Sequence, residues 1–121
     1  MKILVYGIGA MGSIYASLLS RSNNEVFVVD PWEEHISEIK KNGLKIEGAS
    51  GNYIYKKINA SFSIPKKIKF DLIIIATKAS GVKKAAKDIK EITNNKTIII
   101  SLFNWYSYDS IQYNKYHKKN D

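Results

Sequence analysis

MKILVYGIGAMGSIYASLL, Met1–Leu19, decides the fold. Lys2–Tyr6 is a short apolar run of strand type, Gly7-Ile8-Gly9-Ala10-Met11-Gly12 follows at once, and Ser13–Leu19 opens a helix. This is G-x-G-x-x-G in the strand–turn–helix frame that gives the motif its meaning. Gly7 lets the chain turn sharply off the strand. Gly9 leaves room for a pyrophosphate to approach the backbone, and Gly12 lets helix and strand pack closely. The helix start adds unpaired N–H groups and partial positive charge. Gly7, Ile8, Gly9, Ala10, Met11 and Gly12 are therefore the first candidate dinucleotide-binding residues.

Outward from that turn, strands and helices alternate. The first helix is expected over Ala10–Arg21 with Ile14, Leu18 and Leu19 towards the sheet, and Ser22-Asn23-Asn24 turns the chain. Glu25–Val29 has the continuous β-branched character of a buried parallel strand. Asp30 suits the N-cap of a second helix, Pro31 its first position and Glu33 a capping-box partner. Ile36, Ile39 and Trp32 form its expected buried stripe, and Gly43 ends it. Leu44–Glu47, Tyr53–Lys57 and Ala60–Ile64 are short strand-like pieces in an irregular insert, with a turn at Gly48–Asn52 and Pro65 closing it. Asp71–Ala76 is apolar enough to be a central strand. Gly81–Ile92 shows Val82, Ala85, Ala86, Ile89 and Ile92 at helical spacing, and Thr97–Phe103 is a further buried strand. The order implies an α/β, Rossmann-type, doubly wound parallel sheet, incomplete at its C-terminal end.

Bulk properties narrow the function classes. At 121 residues, with 45% hydrophobic and 25% charged content, the chain matches one soluble domain, short for a complete dehydrogenase. Zero cysteines and two distant histidines, His35 and His117, argue against a disulfide framework or a zinc site. No apolar run is long enough for a membrane span, and the early glycines interrupt any signal-peptide pattern, so a cytoplasmic location without membrane partners is expected. The net charge of +8 comes from scattered lysines, with Arg21 the only arginine, which fits a solvated basic surface better than a nucleic-acid footprint.

MKILVYGIGAMGS, the helix running into NGLKIEG, FDLIIIATKAS and TIIISLFN together resemble the N-terminal domain of the ketopantoate reductase (2-dehydropantoate 2-reductase) family over residues 1–104. The resemblance implies NADP-dependent reduction of ketopantoate to pantoate, on the route to pantothenate and coenzyme A. Matched piece by piece, it places the pyrophosphate on Gly7–Gly12, Lys78 against the cofactor at a strand end, and Asn104 near nicotinamide and substrate.

Two departures accompany the resemblance. Asp30, eighteen residues past Gly12, stands where the family commonly has a basic residue. An acid there bonds the ribose 2′-hydroxyl of NAD and repels the 2′-phosphate of NADP. Asp30 therefore opens the way to NAD, unless it only caps its helix or a lysine from elsewhere takes the phosphate. Secondly, the family continues Asn-Gly into a mostly helical domain carrying its catalytic lysine and acidic partner. Here Trp105 follows Asn104, and residues 105–121 form an unrelated tail, expected to be disordered. AAT TGG TAT encodes Asn-Trp-Tyr, and loss of one T restores Asn-Gly, so the tail also fits out-of-frame translation of a disrupted gene. The expectation is a truncated cofactor-binding domain without catalytic residues. It would bind dinucleotide, act on a small 2-keto acid only with a helical second domain, and self-associate through apolar surface left exposed. A stand-alone dinucleotide-sensing module, like those gating potassium uptake, shares the glycine turn and Asp30 but is not expected to combine N-G-L-x-I-x-G, A-T-K-A and S-L-x-N. A hydride-transfer enzyme whose second domain is a separate chain is the third reading.

Overall fold

The computed structural model describes residues 1–48 and 51–102. Five strands form one sheet: β1 (Lys2–Tyr6), β2 (Glu25–Val29), β5 (Asn59–Ser61), β6 (Leu72–Ile75) and β7 (Ile98–Ser101). Their order is β5-β2-β1-β6-β7 and every pairing is parallel. The chain steps one way from β1 to β2 and β5, then crosses back to β6 and β7. The strand order thus reverses between β1 and β6, and ligands bind at the carboxyl end of such a switch point.

Side chains alternate across the strands. Ile3, Val5, Val26, Val28 and Ile74 pack with Ala16 of α1 (Ala10–Ser20) and with Ile36 and Ile39 of α2 (Glu33–Asn42). Leu4, Tyr6, Val29, Ile73 and Ile75 pack on the other face with Ala85 and Ile89 of α3 (Val82–Ile89) and with Ile92. Helices on both faces of a parallel sheet make the doubly wound arrangement. Short 3-10 turns, Ala79–Gly81 and Lys90–Ile92, flank α3 and account for the longer helix expected from spacing.

The insert resolves into two parts. β3 (Leu44–Gly48) and β4 (Gly51–Tyr55) pair antiparallel as a separate hairpin, whereas β5 joins the main sheet beside β2. Arg21, at the end of α1, ties the hairpin down: its guanidinium donates to the Tyr55 hydroxyl and lies over the Tyr53 and Tyr55 rings.

Four local expectations are corrected. α1 buries its small face, Gly12, Ser13, Ala16 and Ser17, and leaves Ile14 and Leu18 exposed; only Leu19 of the expected trio packs on the core. The cause is close approach, because a helix seated this near the strand has no room for branched chains beneath it. α2 begins at Glu33 with Trp32 as its N-cap, not at Asp30, and no side chain caps it. Trp32 is exposed rather than buried; it meets only the edge of His35 within its own helix. On α3, Ala86 is exposed while Ala85 and Ile89 carry the packing. No helix among the described residues is long and apolar enough to cross a membrane.

Candidate functional site

The glycine turn sits at the carboxyl end of β1, as the motif requires. Gly7 has φ +100°, a left-handed conformation, and its N–H donates to the Val29 carbonyl at 2.7 Å. A Cβ on Gly7 would lie 2.9 Å from the backbone of Ala76 and Thr77. A Cβ on Gly12 would collide with the Gly7 carbonyl oxygen. Gly9 differs: a Cβ there would meet nothing within 4 Å. Two glycines are thus required by the fold, and the third keeps an open space beside the turn.

The start of α1 adds backbone donors next to Gly9. The first intrahelical bond of α1 is from the Ser13 N–H to the Gly9 carbonyl at 2.9 Å, so the N–H groups of Ala10, Met11 and Gly12 have no acceptor within the helix. Ile8 has another duty. Its side chain is fully buried and its N–H donates to Asp30 Oδ2 at 2.8 Å. The other carboxylate oxygen of Asp30 accepts the Trp32 N–H at 2.9 Å, and the Asp30 N–H donates to the Ser61 carbonyl at 3.3 Å. Asp30 therefore bridges the end of β2 to the glycine turn. An anion held by two N–H donors is fixed in place, and each oxygen keeps a further lone pair for a hydroxyl.

Across the switch point, Ala76-Thr77-Lys78 leaves the end of β6. With Gly7, Gly9, Asp30 and Pro31 it borders a cleft of about 280 Å³ that also touches Tyr6, Ser80, Gly81 and Lys84. Lys78 is exposed on this rim. Thr77 Oγ1 is buried there without a hydrogen-bond partner among the described residues. A second cleft, about 380 Å³, adjoins the first through Tyr6, Pro31 and Lys84 and extends between Phe62, Ile64, Lys66 and Lys87. The wall between them is pinned by Tyr6, whose hydroxyl donates to Asp88 Oδ2 of α3 at 2.6 Å. Burial, then the bond to Asp88 and the negative charges of Asp88 and Asp30, push the Tyr6 phenol well above its ordinary range.

Gly7, Gly9, Asp30 and Lys78, predicted from sequence, thus meet at one cleft. Ile8, Ala10, Met11 and Gly12 do not line that cleft; Ile8 is buried with its N–H on Asp30, and Ala10, Met11 and Gly12 form the first turn of α1. Asn104 and the tail from Trp105 lie outside the described residues. Sequence reasoning missed Tyr6, Thr77, Ser80, Gly81 and Lys84. Thr77 and Ser80 flank the singled-out Lys78, but Tyr6 resembled any inward strand residue and Lys84 any solvated lysine. The described residues hold no cluster of His, Asp and Glu suited to a metal.

Comparison with known proteins decides the family. The family described as "Ketopantoate reductase PanE/ApbA" matches residues 3–111. This chain belongs to the ketopantoate reductase family. A 2-dehydropantoate 2-reductase of Lactococcus lactis is 37% identical over 128 aligned positions, which take in 100% of this chain and 39% of that protein. The Streptococcus pyogenes enzyme of the same name is 33% identical over 92% of this chain and 36% of its own length. Among solved structures, the ternary structure of D-mandelate dehydrogenase with NADH and anilino(oxo)acetate superposes with a TM-score of 0.80 at 34% identity. It matches 93% of this chain and 36% of that one. The chain thus spans little more than a third of the relatives it matches.

Proposed function

We propose that this chain binds a nicotinamide dinucleotide across the carboxyl end of its sheet and forms the cofactor half of a 2-oxoacid reductase, with 2-dehydropantoate as the substrate of the assembled enzyme and NADH as the hydride carrier. The observation that carries this reading is the open space at Gly9, beside the start of α1 and in a cleft bordered by Asp30. The pyrophosphate fits at Gly9, where its charge meets the N–H groups of α1. Asp30 accepts a ribose hydroxyl at the lip of the cleft. The adjoining cleft offers Pro31, Phe62 and Ile64 as apolar surface for the adenine end. Lys78 supplies donors for ribose hydroxyls or phosphate from the β6 side.

When bound, the dinucleotide supplies the hydride that reduces the keto carbon. Proton delivery to the developing alkoxide needs a general acid beside that carbon, and we assign no residue of this chain to the task. On this reading the chain alone binds dinucleotide and leaves 2-dehydropantoate unreduced. The likeness to a D-mandelate dehydrogenase structure favours one second reading, a 2-oxoacid with an aromatic side chain.

NADH is preferred over NADPH because the Asp30 carboxylate, held at the cleft lip, repels a 2′-phosphate. Calorimetric titration of wild type and Asp30→Ala with each dinucleotide tests the assignment. Wild type should bind NADH more tightly by about tenfold or more, roughly 1.4 kcal/mol, and Asp30→Ala should narrow that ratio. Equal affinities in wild type, or an unchanged ratio in the variant, would overturn the role of Asp30.

A further inference from the structure

Buried polar atoms in folded chains nearly always have a hydrogen-bond partner, and one without asks for a reason. Among the described residues two buried side-chain atoms stand so, Nδ1 of His35 and Oγ1 of Thr77. His35 lines neither of the two adjoining clefts. Thr77, just past the end of β6, lines the cleft at the glycine turn.

The surroundings of Thr77 explain why the fold offers its hydroxyl nothing. The side chain stands between two glycines that border the same cleft. Its methyl lies towards Gly7, where an added Cβ would be 3.0 Å from Cγ2. Its hydroxyl lies towards Gly81, where an added Cβ would be 3.3 Å from Oγ1. Neither glycine has a side chain to give or take a hydrogen bond. The hydroxyl is not used as a cap either: α3 begins after Gly81 with no side-chain cap. One staggered step about χ1 would carry the hydroxyl to the place of the methyl, beside Gly7 at the glycine turn.

A valine has the same shape and would fill this position with no unmet hydrogen bond. Threonine therefore weakens the free chain, unless a partner arrives from outside it. On the reading of this cleft as a dinucleotide site, that partner is at hand. We infer that Thr77 is a cofactor-contacting residue, whose hydroxyl is unpartnered in the free chain and hydrogen-bonds an oxygen of the bound dinucleotide. A hydroxyl donates to a phosphate oxygen and both donates to and accepts from a ribose hydroxyl. Such an oxygen belongs to the part that NADH and NADPH share, so Thr77 adds affinity without choosing between them. Discrimination stays with Asp30, on the β2 side of the same cleft.

Thr77→Val tests the inference, read by thermal unfolding without ligand and by calorimetric titration with NADH and NADPH. The free variant should melt higher than wild type, by on the order of 4 °C. It should nevertheless bind NADH about three- to tenfold more weakly, and NADPH should weaken by the same factor. A residue with a merely structural role would not move stability and affinity in opposite senses. Thr77→Ser keeps the hydroxyl and should bind NADH as wild type does. A Thr77→Val protein that melts at or below the wild-type temperature, or does not fold, would show the hydroxyl already satisfied in the free chain and overturn the proposal. Equal NADH binding by wild type and Thr77→Val would also overturn it, while leaving the dinucleotide site itself in place. A wild type that takes up no NADH would overturn both.

Discussion

At the scale of single residues, the glycine turn divides its labour by geometry. Gly7 is held at positive φ against the end of β6, and Gly12 is held under the Gly7 carbonyl, so both are demanded by packing. Gly12→Ala should destabilise the fold by about 1–3 kcal/mol, the usual scale of overpacking at a close backbone contact; chemical denaturation measures it, and a change below ~0.5 kcal/mol would mean the turn yields easily. Asp30 is the residue whose part changed most between sequence and structure. Its spacing from Gly12 matched both a ribose acceptor and a helix cap, and Pro31 made the cap persuasive. The helix instead starts at Glu33, and the carboxylate reaches back to the Ile8 N–H. Sequence spacing cannot reveal that bond, because it depends on how closely the ends of β1 and β2 approach. It places a fixed negative charge at the lip of the cleft, the feature on which the proposed preference for NADH rests.

At the scale of elements, α3 is coupled to the site by a part-buried hydrogen bond. Tyr6 ends β1 and its hydroxyl is committed to Asp88, which seats the helix whose Lys84 borders both clefts. Because the folded environment raises the Tyr6 pKa above its ordinary 10.0, this group's contribution to stability is complete below about pH 10 and is lost as pH rises beyond it. Tyr6→Phe should cost about 0.5–1.5 kcal/mol at neutral pH and flatten that alkaline loss. Denaturation series at neutral and alkaline pH compare the two proteins, and identical pH slopes would remove Tyr6 from the account. The elements themselves were largely legible in the sequence: the β-branched runs at 25–29 and 72–75 and the glycine turn fixed a parallel, doubly wound sheet. What was not legible was the face α1 buries. Ile14, Leu18 and Leu19 have ordinary helical spacing, yet close contact at the turn selects Gly12 and Ala16 instead. The insert was similarly opaque, since nothing local distinguishes β5, which joins the sheet, from the β3–β4 hairpin, which does not.

At the scale of the whole molecule, membership of the ketopantoate reductase family rests on residues 3–111, while the relatives extend to nearly three times this length. The described residues form a five-stranded sheet with a glycine turn and a cleft at its carboxyl end, and dinucleotide binding is the activity proposed for it. The central claim concerns the space at Gly9. A Cβ there would meet no atom within 4 Å apart from its chain neighbours, and Gly9 has the ordinary backbone angles φ −71° and ψ −162°. Gly9→Val should therefore fold as wild type does and obstruct only the ligand. The decisive measurement is calorimetric titration of NADH into wild type and Gly9→Val, with thermal unfolding of both as the control. We predict saturable binding to wild type and a loss of about tenfold or more in the variant, ~1.4 kcal/mol, at an unchanged melting temperature; equal binding by the two proteins, or none by wild type, would contradict the claim.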